Sequence, residues 1–465
     1  MSDTASTRNE RLRQLADSPV GRLLWQYSLP AVVGMLVVSL YNVVDRIFIG
    51  QGVGPEAIAG LAVTLPVMNL SAALGVLVGG GAAARISVML GAGDTDSAFR
   101  TLGNALVMSI SIAIAYITVF ALFLDNILMA FGASEATLPY AHEFMVYLLP
   151  GFLLINVTLS FNNIMRASGY PMRAMVTNFI GAGINVALDP IFIFWLDMGI
   201  KGAAIATVTS MIISGIYVMK HFFRSESTVH FRRGIYRLDR RIVWGIVAIG
   251  AAPSLINAAA SAVNAIINNS LLHYGGDTAV AAAGIFTTLS TLAVMAMSGI
   301  SQGMQPIVGF NYGAGHFRRM KHAYYLAVAA ASIISIVCMA VGYLIPDLWA
   351  RAFTTSMPLI DTTVNAFHRG FWAFWLVGFQ VISTTFFQSI GKAGKSIFLS
   401  LARQVIFLIP LMLWLPRTMQ LDGIWLAFPL GDLAATLCTA ALILYQWRIF
   451  ARISSGSRPF QPESL

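Results

Sequence analysis

The sequence predicts an all-α polytopic membrane protein, with twelve transmembrane helices in two pseudo-symmetric six-helix lobes around a central cavity. Three observations carry this. The 465 residues are 57% hydrophobic and 11% charged, against about 45–50% and about 25% in a soluble domain. Mean hydropathy is +0.74. A set of residues also recurs along the whole chain at a nearly constant offset.

The composition excludes a water-soluble enzyme, a disordered chain and a coiled coil. A bilayer span needs about 20 apolar residues and must satisfy its own backbone. Apolar segments at 26–49, 57–89, 103–124, 140–165, 174–196 and 202–221 form a first set of six. Segments at 242–272, 279–309, 323–345, 363–390, 396–415 and 423–447 form a second. Several exceed one bilayer thickness, so they are expected to tilt, kink or protrude. The polar residues 1–22 carry no signal-peptide pattern, and the run from Trp25 to Ile49 is too long for a signal core. Cys338 and Cys438 lie inside apolar segments and read as packing thiols.

Lys and Arg total 29 against 20 acids, for a net charge of +9. The basic residues cluster at the ends of apolar runs, so they read as topology signals. With the amino terminus inside, the inner segments collect Arg8, Arg13, Arg22, Arg100, Arg173, Arg318 and Lys395, while the outer ones hold Lys201, Arg351 and Arg417. The connector at 223–241 adds Arg224, Arg232, Arg233, Arg237, Arg240 and Arg241. This predicts a multi-pass protein of the cell inner membrane with both termini cytoplasmic. Its expected parts are a tail at 1–22, a first lobe at 23–222, the connector at 223–241, a second lobe at 242–447 and a tail at 448–465.

The halves repeat. Pro30 matches Pro253 and Asp45 matches Asn268, both 223 positions apart. GLAVTL at 60–65 echoes GIFTTL at 284–289, and GAG at 91–93 recurs at 313–315. Gly169 matches Gly391, and Gly202 matches Gly423. Six spans per half give both halves the same orientation, related by an axis along the membrane normal.

Ionisable side chains in hydrocarbon are costly and mark pathways. Asp45, Asp189 and Asp432 lie within apolar segments. Asn185 and Asp189 are four apart and share a helix face. Pro190 removes the donor for the carbonyl of Val186, leaving that oxygen free for a cation. Tyr41 and Asn42 flank Asp45, and Thr207 lies at a depth similar to Asp189. These groups make a candidate proton or sodium site, with sodium placed at Asp45, Asn185 and Asp189. Two acids close together in low dielectric cannot both stay ionised at low cost. Asp432 is a secondary candidate, with Arg369 at a depth that allows neutralisation. Arg85 and Arg403 are expected to snorkel toward the inner surface.

At these residues the sequence resembles the multidrug and toxic compound extrusion (MATE) family, most closely its bacterial multidrug-resistance branch. The resemblance spans about residues 18–450. It rests on the Pro30…Asp45 span, GGGAAARISVMLGAGD (79–94), MRASGYPMRA (165–174), NVALDPIFIF (185–194) and GIKGAAIAT (199–207). It implies export of organic, often cationic compounds driven by proton or sodium influx. It assigns coupling roles to Asp45, Asn162, Asn185, Asp189 and Thr207, and helix bending to Pro30. It departs from members with acids on the seventh and tenth helices, where this chain offers Asn257, Asn264, Asn268, Asn269, Gln380 and Gln388.

A lipid-linked sugar flippase of the same superfamily would want a cavity rich in Arg, and embedded Arg is scarce here. A membrane enzyme would need a nucleophile with its base or a metal cluster, and the seven histidines have no spaced partners. HEXXH and P-loop patterns are absent from the sequence. The expected protein is therefore not an enzyme. It takes no cofactor beyond its coupling ion, works as a monomer among membrane lipids, binds small organic substrates and has no nucleic-acid partner.

Overall fold

The computed structural model describes residues 10, 12–53, 55–135 and 137–455. The expected tails at 1–22 and 448–465 lie partly outside them. All regular elements among the described residues are helices. The first helices are α1 (Val20–Gly52), α2 (Pro55–Gly91), α3 (Thr95–Ala130), α4 (Leu138–Leu148 and Gly151–Ala167), α5 (Pro171–Pro190) and α6 (Gly199–Phe222). Arg240–Gly313 is one helical run broken at Gly276, giving α7 (240–275) and α8 (277–313). Then follow α9 (Phe317–Leu344), α10 (Met357–Gly370 and Phe374–Ser389), α11 (Ala393–Trp414) and α12, which follows the break at Gln420 within Pro416–Ser454. The described residues thus contain twelve spans once each bent pair counts as one and the break at Gly276 separates α7 from α8.

Two spans expected to be continuous are broken. The halves of α4 meet at 61° and those of α10 at 55°. Pro150 sits at the first break and lacks the N–H that would carry the helix through. At the second, the rings of Phe371 and Phe374 stack 4.6 Å apart across the bend. By contrast, α1 runs through Pro30 without leaving helical geometry.

The repeat is visible in backbone geometry. Gly93 and Gly315 end their helices with φ of 77° and 74°, and Gly169 and Gly391 with 100° and 73°. Left-handed φ favours glycine, because a Cβ would meet the following carbonyl. A Cβ on Gly202 would lie 2.7 Å from the oxygen of Phe192, and one on Gly423 would lie 2.6 Å from that of Leu415. Both glycines let a helix start against the chain that precedes it.

The helices group into two compact units. One is built from Val33–Asn257, the other from Pro19–Val32 and from Ala258 onward. This differs from the expected lobe limits at α1 and α7, whose first halves each group with the other set of six. Close backbone approach explains it. Within the first unit, Gly81 packs on the carbonyl of Ile246, and Gly250 on that of Leu77. Within the second, Gly303 packs on Ser28 and Gly299 on Val32. Small residues let helix backbones touch in this way.

The first unit packs around Tyr116, Phe120, Phe144 and Phe152, and the second around Phe286, Phe367, Phe371 and Trp425. The 223–239 connector is seated on the first unit. Val229 and Ile235 are buried, Asp239 N–H donates to Asn104 Oδ1 at 2.9 Å, and Arg232 pairs with Asp96 over the ring of Phe99.

Candidate ion-coupling site

The site is built at the end of α5. Pro190 supplies no N–H to the carbonyl of Val186, and the helix widens just beyond it into a π turn, Ile191–Trp195. The backbone N–H of Leu196 closes that turn on Ile191 O at 2.9 Å. Asn185 and Asp189 project from one face and are 1% and 0% exposed. Asn185 Nδ2 donates to Asp189 Oδ1 at 3.3 Å and to Thr207 Oγ1 on α6 at 3.3 Å.

Burying these groups leaves two oxygens unpaid. Asn185 Oδ1 and Asp189 Oδ2 are both buried and take no hydrogen bond from a described residue's N–H or hydroxyl. Orphaned acceptors of this kind are rare in folded proteins and call for a proton, an ion or water. From α1, Asp45 brings its carboxyl to hydrogen-bonding range of Asp189, and Tyr41 lies within electrostatic reach of both acids. An ionised carboxylate can only accept, so two carboxyls in such contact need a proton or a cation between them. The donor set consists of hard oxygens from two carboxyls, an amide and a hydroxyl, which fits a proton or sodium. Among the described residues, no group of three or more His, Cys, Asp or Glu gathers to hold a metal ion.

The structure therefore brings together Asp45, Asn185, Asp189, Thr207 and Tyr41. It does not bring in Asn162. That amide donates to the carbonyl of Ala174 at 2.8 Å and accepts from Arg166 at 3.0 Å. Ala174 lies fifteen residues before Asp189 on α5, about 22 Å along the axis at 1.5 Å per residue. Asn162 ties α4 to the first turn of α5. Asn156, at a more suitable depth, is also engaged, with Ser71 at 3.1 Å. Asn42 turns its amide back to Val38 O at 2.7 Å and is exposed.

Asp432 is placed differently from expectation. Arg369 pairs with Asp422 at 2.8 Å. Asp432 instead accepts from Nε of Arg403 at 2.7 Å. Arg403 does not snorkel. It stands at the start of a π segment of α11, Ala402–Leu408, ten residues from the helix start and about 15 Å along it. Gln380 on α10 donates to the backbone oxygen of Asp432 and to Thr436. This pairing escaped the sequence reading, although the depth of Arg403 was a usable signal. Arg85 is likewise buried, donating Nε to Thr101 at 3.2 Å.

A duplicated set of twelve helices carrying carboxyls inside its apolar spans defines a membrane transporter. The MatE family model matches residues 30–191 and 253–414, two stretches offset by 223 positions, and the chain belongs to that family. The multidrug export protein MepA of Staphylococcus aureus (strain NCTC 8325 / PS 47) is 25% identical over 450 residues, covering 96% of this chain and 98% of MepA. MepA of Staphylococcus haemolyticus (strain JCSC1435) is 25% identical over 446 residues, covering 95% and 97%. Among solved structures, an outward-facing multidrug resistance MATE family transporter of the MOP superfamily matches with TM-score 0.88 at 25% identity, covering 95% of this chain and 98% of that one. A MOP superfamily transporter from Pyrococcus furiosus matches with TM-score 0.87 at 25% identity and the same coverage. The protein is a MATE family efflux transporter and not an enzyme.

Proposed function

We propose that this protein exports structurally varied organic compounds, chiefly cations, in exchange for protons or sodium, by alternating access. The observation that carries the reading is the pair of buried oxygens, Asn185 Oδ1 and Asp189 Oδ2, that take no hydrogen bond beside the carboxyl of Asp45. An ion shifts a conformational equilibrium only through its different affinity for the two states. A carboxyl pair that holds a proton or sodium when closed off, and is hydrated when open, supplies that difference. Pro30 lies two residues from the point in α1 where the contacts change units. A proline there gives the helix a place to bend as the pair fills and empties. The MepA relatives support a multidrug range.

The basic residues support placement in the cytoplasmic membrane with both termini inside. The protein works as a monomer, with no cofactor besides the coupling ion. Purified protein in liposomes, given a proton or a sodium gradient separately, is expected to move a lipophilic cation against its gradient under one of them. Movement under neither would overturn the proposal.

A further inference from the structure

We propose that Arg403 is a docking group for the carboxylate of exported compounds that carry one. The proposal deepens the export reading above and rests on it. Arg403 lies midway along the 22-residue span Ala393–Trp414. A charged side chain at that depth faces the protein interior or a water-filled cavity rather than lipid. Its guanidinium is fixed along one edge only. Nε donates to Asp432 Oδ1 at 2.7 Å, and Asp432 is anchored in turn by Gln380, which bonds its backbone oxygen and Thr436. Among the described residues, no acceptor takes the Nη1 or Nη2 hydrogens, and neither nitrogen is an enclosed orphan. The Arg403 side chain is 27% exposed, against 11% for Asp432.

The acid thus sits behind the guanidinium, and the forked Nη edge is the part left open. That edge presents two parallel N–H groups in the geometry that takes both oxygens of a carboxylate. A lysine in the same place would pair with Asp432 as a point charge but offer no fork. Arg403 is the second residue of the π segment Ala402–Leu408 and meets Asp432 on α12.

The test uses two probes that differ by one group, tetramethylrhodamine with its free carboxylate and its methyl ester, which is a plain cation. Gradient-driven transport of both is measured in proteoliposomes for the unaltered protein, for Arg403→Lys, and for the double variant Arg403→Gln with Asp432→Asn, which leaves no lone buried charge. The ratio of KM for acid over ester is expected to rise at least about tenfold in both variants, the loss of a charged bidentate contact. A ratio unchanged in both variants would overturn the docking role, as would an unaltered protein that moves the ester and not the acid. If the unaltered protein moves neither probe under any gradient, the export reading itself fails.

Discussion

Asn185 holds Asp189 from one turn back along α5, donating to it across 3.3 Å while its own carbonyl oxygen takes no hydrogen bond. The amide therefore orients the acid and offers a ligand oxygen beside it. Asn185→Ala is expected to shift the proton or sodium concentration at half-maximal efflux, because one donor to Asp189 and one ion ligand are lost together. Asn162→Ala is expected to leave that ion dependence unchanged and to lower stability by about 1–3 kcal/mol, the cost of unpartnered buried groups. Efflux titrated against the driving ion, together with thermal melting, checks both.

Breaking the Arg403–Asp432 pair is expected to be costly. Asp432→Asn leaves the half-buried Arg403 guanidinium without its counter-charge, a loss of about 1.5–3 kcal/mol for a hydrogen bond to a charged group. Replacing both residues by neutral amides is expected to recover much of it. Melting temperatures of Asp432→Asn, Arg403→Gln and the double variant in detergent measure this coupling directly.

The glycine contacts of the repeat make a paired prediction. Gly202→Ala puts a methyl 2.7 Å from the oxygen of Phe192, where neither backbone can yield easily, and is expected to cost about 1–3 kcal/mol. Gly183→Ala, on α5 with nothing within 4 Å of its added Cβ, is expected to be neutral or slightly stabilising. Expression and melting of the two variants give the comparison.

Topology is tested by thiol labelling in a background without Cys338 and Cys438. Ser227 is buried and donates to His221 O at 2.7 Å, so the neighbouring exposed Ser225 is the suitable connector position. Cysteines at Ser225 and at exposed Asp277 are expected to react from opposite sides of the membrane. Reaction of position 225 with an impermeant reagent in intact cells would reverse the assignment.

Much of the fold was legible because its signals are local or periodic. Apolar length marked the spans, and the constant offset marked the duplication, down to glycines that share positive φ in both halves. Asn185 and Asp189 were legible together because four residues on a helix make one face. Asn162 was misplaced because the family pattern gives a helix and not a depth, and its partners Ala174 and Arg166 are set by how α4 meets α5. The Arg403–Asp432 pair was missed for a related reason. Arg403 was expected to snorkel to the inner surface, but it lies midway along Ala393–Trp414, and its meeting with Asp432 is set by how α11 packs on α12. Which halves of α1 and α7 join which unit depends on glycine-on-backbone packing, which has no signature in hydropathy.

The central claim is that Asp45 and Asp189 couple the driving ion to export. The most direct measurement is gradient-driven efflux of a lipophilic cation by Asp189→Asn and Asp45→Asn, reconstituted at matched protein amounts beside the unaltered protein. The account predicts that both variants insert and fold, and that their efflux does not respond to the proton or sodium gradient. Normal gradient-driven efflux by Asp189→Asn would contradict it and would move the coupling site away from the end of α5.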